Sequence, residues 1–187
     1  ALTKGTFIAT PEILPSQGRE LKEFNALPLL LAQNTGFLQA PEFKQWIAEN
    51  KEIVKEAAEK SGYMLKAVRQ AWKRRGLIPI TVLNKMLEKT SMPACKQVFF
   101  KLDKKSKPIP AVVPATEELL KFSGLWVADG CFDGKYAVII SVNEPEENHA
   151  VNKVAELYGL KARTHSDGFS KIISNTGLVW FVKNILE

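Results

Sequence analysis

Read in order, the sequence predicts an α+β protein: a helical, basic first part, a short connector, and a block that alternates helices with paired strands. Three observations carry this. Between Glu20 and Lys89 apolar residues recur mostly at helical spacing. From Lys101 to Pro114 the stretch KLDKKSKPIPAVVP is rich in lysine and proline and breaks that pattern. After Thr116, helix-like segments alternate with strand-like runs that meet at Asp133-Gly134 and Asp167-Gly168, both strong hairpin signals. The expected organisation is a helical unit over 1–107, a linker over 108–115 and a second unit over 116–187.

Composition narrows the class. Hydrophobic (45%) and charged (25%) fractions are those of an ordinary globular chain. With no apolar run near the length of a membrane span and no signal-peptide pattern, no membrane partner is expected. Cys95 and Cys131 have neither the number nor the spacing of a disulfide framework or zinc site. They read as small buried side chains in a reducing compartment, so the expected location is cytoplasmic and DNA-associated. The net charge of +6 is uneven: sixteen Lys or Arg stand against six Asp or Glu between Lys44 and Lys107, and the balance reverses elsewhere. Charge gathered this way points to a polyanionic partner, here double-stranded DNA, although a lysine-rich wet surface is the bland reading.

The first eighteen residues carry Pro11, Pro15 and Gly18 and read as loop, with one strand near Thr6 to Thr10. Glu20 to Gln33 reads as helix-like, interrupted or bent by Pro28, and ended by Asn34-Thr35-Gly36. Pro41 opens a helix to about Asn50, with Phe43, Trp46 and Ile47 inward. Glu52 to Lys60 is a helix, Ser61-Gly62 a tight turn, and Tyr63 to Arg75 a second helix. The placing of Ala58, Gly62 and Val68 resembles the helix-turn-helix pattern, in which alanine permits close packing and glycine the left-handed turn. The second helix then presents Lys66, Arg69, Gln70, Lys73 and Arg74, residue types that contact phosphates and purine edges. A plain helical hairpin with a wet basic side is the competing reading. Ile80 to Lys89 forms one more helix.

Thr116 to Gly130, TEELLKFSGLWVADG, organises the second unit. Thr116 caps a helix, and Glu117 and Glu118 suit its positive end. Apolar residues on nearly every side predict burial on more than one face. Gly124 and Ala128 form a stripe of small residues, one turn apart, that lets a second helix approach closely. Asp129 closes the helix where carbonyls already carry partial negative charge, a position that asks for a cation. Tyr136 to Val142 is a strand, Glu144 to Tyr158 a helix with Val151, Val154, Ala155 and Tyr158 on its buried stripe. Lys161 to Ser166 and Phe169 to Ser174 make a second hairpin, and Leu178 to Leu186 the closing helix. Lys161, Arg163 and His165 alternate onto one strand face.

Phe122 to Gly130, FSGLWVADG, resembles the nine-residue motif of the LAGLIDADG homing endonucleases, with Gly124-Leu125 and Ala128-Asp129-Gly130 in the motif's places. The order after Thr116 is similar to that family's αββαββα core. The resemblance implies a metal-dependent, site-specific double-strand DNA endonuclease using Mg²⁺ to hydrolyse phosphodiester bonds. It implies Asp129 as metal ligand, the Ala128 carbonyl as a second ligand, and Asn143 as the amide that positions hydrolytic water. It makes Lys161, Arg163 and His165 candidates for the DNA-facing saddle, His165 as a groove contact rather than a ligand. One chain carries one motif, so a homodimer or a second half must complete the site. The first hairpin is short and apolar on both faces, which shifts base recognition to the first unit. The opening ALTKGT resembles an intein start with alanine in place of the nucleophile. No Thr-x-x-His block follows and the chain does not close on His-Asn, so an intein-derived fragment fits better than a splicing protein. The rival function is a non-cleaving DNA-binding regulator built on a retired nuclease core.

Overall fold

The computed structural model describes residues 22–68 and 72–186. It is a mixed α and β structure with antiparallel sheets. The strand expected near Thr6 to Thr10 lies outside the described residues, as do Arg69 and Gln70.

The expected bent helix from Glu20 begins instead as strand β1 (Glu23–Asn25), followed by helix α1 (Leu27–Gln33). Pro28 falls in the first turn of α1, where no N–H is needed, so it starts the helix rather than bending it. Asn34, left-handed at φ 53°, ends it as expected. Strand β2 (Phe37–Gln39) and helix α2 (Phe43–Glu49) follow, the latter burying Phe43, Trp46 and Ile47. Helix α3 (Lys51–Lys60) matches its expected span. After the turn the described residues are helical over α4 (Leu65–Ala67) and α5 (Lys73–Arg75), with Met64 extended before them. Strand β3 (Leu77–Pro79), helix α6 (Ile80–Leu87) and strand β4 (Phe99–Lys101) complete this part.

The stretch expected as a linker is built into the structure. Strand β5 (Ile109–Pro110) pairs with β4, and β6 (Val112–Pro114) pairs with β1. Ile109, Ala111 and Val113 are buried. Both strands lie at sheet edges, in the order β3-β2-β4-β5 and β1-β6, where a proline costs no ladder bond.

Helix α7 (Glu117–Asp129) leads directly into strand β7 (Gly130–Asp133). Strand β8 (Ala137–Ser141), helix α8 (Pro145–Leu157), strands β9 (Ala162–Thr164) and β10 (Ser170–Ser174) and helix α9 (Thr176–Phe181) follow. Wide helical turns continue α9 through Val182–Leu186. The first hairpin turns through Gly134, Lys135 and Tyr136, three residues rather than two, with the Tyr136 N–H donating to the Asp133 carbonyl at 3.1 Å. The sheet runs β7-β8-β10-β9, antiparallel throughout. Helix α8 starts on a capping box between Glu144 and Glu147 and buries Val151, Val154, Ala155 and Tyr158.

Helix α9 fastens the two parts together. Trp180 packs edge-on to Phe100 of β4 at 5.5 Å, and its indole N–H donates to Gln33 Oε1 at 2.8 Å. A Cβ on Gly177 would meet Ile109 at 3.2 Å, so glycine lets α9 lie close on β5. Asn175 caps α9 through Leu178 N–H and donates to the Lys107 carbonyl at 2.9 Å. Beside it Asp103 accepts from the N–H groups of Lys105 and Ser106, both at 2.7 Å, from the Ser106 hydroxyl, and from Thr176 Oγ1 at 2.8 Å. These donors, the Ser106 hydroxyl foremost, hold its carboxyl well below the ordinary carboxylate range. One buried apolar cluster runs from Ala26 through Phe100, Ile109, Leu119 and Phe122 to Val182.

Candidate functional site

Thr116 caps α7 by accepting from Leu119 N–H at 3.3 Å, as its sequence promised. One side of the helix is buried through Leu119, Phe122 and Trp126, and Trp126 lies 4.4 Å from the Phe132 ring. The expectation of burial on several faces does not hold within one chain. Leu120 is 48% exposed, Val127 73%, and Gly124 and Ala128 are exposed with them. A Cβ added at Gly124 would meet nothing within 4 Å. The small-residue stripe is therefore an apolar face without a helix against it among the described residues. Leu120, Gly124 and Val127 follow steps of four and three, so the stripe was readable by period although its exposure was not.

Asp129 is exposed at the last position of α7. The Gly130 N–H donates to the Trp126 carbonyl, and a Cβ on Gly130 would collide with the Trp126 ring, so glycine lets the chain turn straight from helix to strand. Among the described residues no hydrogen bond or ion pair occupies the Asp129 carboxylate. No group of three or more His, Cys, Asp or Glu suited to a metal ion occurs among the described residues. One chain thus offers a hard cation the Asp129 carboxylate and the Ala128 carbonyl, which lies in the last turn where helix carbonyls lack intrahelical donors. A six-coordinate Mg²⁺ wants more oxygens than that. Two oxygens from one chain fall short of that shell.

Asn143 is exposed just beyond β8, and its backbone N–H donates to Glu147 Oε2 at 2.8 Å. Its own N–H and that of Glu144 lower the Glu147 carboxyl below its usual range. Asn143 lines a groove of about 320 Å³ with Asn148, Thr164, Phe169 and Lys171. Asp129 is not part of that groove. Sheet register instead places Gly130 opposite Ile140, so Asp129 falls beside the same end of β8 from which Asn143 departs.

The sheet has a covered and an open face. Val138, Ile140 and Ile173 are buried on one side. On the other, Cys131, Ile139, Ile172 and Arg163 stand opposite one another in a single row across all four strands. Continuing the β9 register puts Lys161 and His165 on this face, with the His165 N–H donating to the Ser170 carbonyl at 2.8 Å. His165 Nδ1 lies 3.1 Å from Asp167 Oδ2. Cys131 is exposed and Cys95 half-buried, so the cysteines are not a buried pair. Burial pushes the Cys95 thiol up.

In the first part, Ala58 is fully buried and its carbonyl accepts from Tyr63 N–H at 2.9 Å; Gly62 is left-handed at φ 73°. These are the roles their spacing predicted. The helical backbone of the second element begins at Leu65 rather than Tyr63: Tyr63 and Met64 lead in, the described residues 65–68 and 72–75 are helical, Trp72 is buried edge-on to Tyr63 at 5.4 Å, and Gly76 ends it at φ 62°. Lys66, Lys73 and Arg74 are exposed. The basic charge is not all available. Lys60 and Lys89 bind Glu56 at 2.8 and 2.5 Å, lowering its carboxyl to about 2 with the Lys60 contact foremost. Lys101 is buried and donates to the Lys104 carbonyl, and Lys107 Nζ donates to the Gly159 carbonyl.

No protein-family model matches the chain, and no curated protein matches it.

Proposed function

We propose that this chain is one half of a metal-dependent, site-specific double-strand DNA endonuclease of the LAGLIDADG kind, working as a homodimer. The observation that carries the reading is the end of α7: an exposed apolar stripe of Leu120, Gly124, Val127 and Ala128 runs up to a carboxylate with no partner among the described residues. A second copy of that stripe would cover the first and bring two Asp129 side chains to one locus, a sum of hard oxygens that suits Mg²⁺. The metal, when bound, lowers the pKa of coordinated water and offsets charge on the departing oxygen. Asp129 holds it, the Ala128 carbonyl assists, and the Asn143 amide orients water near the same end of β8. The open sheet face, with Arg163, Lys161 and His165, lies along the duplex, and Lys66, Arg69, Gln70, Lys73 and Arg74 add phosphate and groove contacts.

The test is cleavage of duplex DNA carrying selected target sites, with and without Mg²⁺, by the native protein and Asp129→Asn. Native cutting that needs the metal and vanishes in the variant supports the reading. Equal binding with no cutting by either leaves the non-cleaving regulator. A persistent monomer at micromolar concentration on DNA contradicts the shared site.

A further inference from the structure

We propose that Ile139 and Ile172 are specificity-determining residues that read the 5-methyl group of thymine in the major groove; this deepens the DNA-binding reading above and rests on it. The sequence predicted little base readout from a hairpin apolar on both faces. The register changes that. Ile139 and Ile172 are direct cross-strand partners on the two central strands, β8 and β10, and both point to the open face. Their row neighbours are Cys131 at one edge and Arg163 at the other. The residues before and after them on this face are small: Ala137 and Ser141 on β8, Ser170 and Ser174 on β10. Two branched apolar side chains therefore form a half-buried ridge between small residues, of which Ala137 and Ser170 are themselves buried.

The major groove, about 12 Å wide, admits the width of two strands, and the pair stands on the two central strands of this four-stranded sheet. The cations of Lys161 and Arg163 suit the phosphates beside the groove, with His165 next to them on the same strand face. On the groove floor every base edge offers hydrogen-bonding groups, and only thymine adds an apolar one. An isoleucine pressed against guanine, adenine or cytosine edges strips water from polar atoms and returns no hydrogen bond. Against thymine it buries a methyl group. Physical chemistry thus assigns thymine to the base pairs beneath this ridge.

The experiment begins by selecting bound sites from a random duplex library. Each thymine of the selected site is then replaced singly by deoxyuridine, which removes the methyl and leaves pairing intact. We expect affinity to fall about fourfold at one or two positions, the effect of one methyl removed from an apolar contact. Ile139→Ala and Ile172→Ala should bind the uracil and thymine sites equally. Tight, sequence-selective binding that ignores every methyl overturns the thymine assignment and leaves the DNA reading standing. Failure to bind any duplex sinks both. A shift in oligomeric state on Ile139→Ala, without effect on DNA, would make the ridge a protein contact and also overturn the assignment.

Discussion

Two aspartates in this chain sit at the edge of a helix and could hardly be treated more differently. Asp103 lies beside the start of α9 and accepts from two N–H groups and two hydroxyls. Asp129 lies at the end of α7, exposed, with no partner among the described residues. The first position favours an anion by helix polarity and is satisfied; the second opposes one and is left open. A carboxylate that is fully bonded spends its charge on holding chain segments together. One left unbonded at a helix end that opposes its charge stays open to a partner from outside the chain. The difference separates a structural acid from a candidate reactive one without appeal to sequence likeness.

The sharpest way to break this contrast is Asp129→Asn. DNA cleavage should fall at least about 100-fold while thermal stability holds or rises slightly, since no described residue bonds that carboxylate and the helix end opposes its charge. A drop in melting temperature instead would make Asp129 structural. Asp103→Ala should do the reverse and lower unfolding free energy by about 2 kcal/mol in denaturant titrations, leaving four donors without their acceptor. Its pH dependence has a definite sign. The folded carboxyl ionises well below its unfolded value of about 4. Its stabilisation is complete above that pH and is lost as pH falls from there through the lower folded value, so native and Asp103→Ala stabilities should converge in strong acid. Gly124→Leu should weaken self-association about tenfold or more by sedimentation without unfolding the monomer, because its Cβ meets open space in one chain. Smallest is Thr176→Val, which removes one of the donors to Asp103 and should cost about 1 kcal/mol.

What was legible in the sequence was local. Thr116 with Glu117 and Glu118 fixed the start of α7, the Val151–Tyr158 stripe fixed the buried side of α8, and Ala58 with Gly62 fixed the turn after α3. Pairings distant in the chain were not. Val112–Pro114 finds its partner at Glu23–Asn25, and a lysine- and proline-rich stretch gives no local sign that it will be an edge strand. The same limit applied to α7. Its composition showed apolar residues all round, and only packing reveals which side the chain covers and which it leaves bare. Asp129 itself was legible because helix polarity is a local property; the sheet row of Ile139 and Ile172 was not, because it depends on register between strands.

The docking of α9 has a practical corollary. Its Trp180 roofs Phe100, its Gly177 admits Ile109, and its cap residue grips Lys107, so residues late in the polypeptide shelter surfaces made by the earlier ones. A gene divided at the proline-rich connector would yield two sticky pieces rather than two soluble modules. For this protein, trading the first part for another will require carrying the last helix along with the graft.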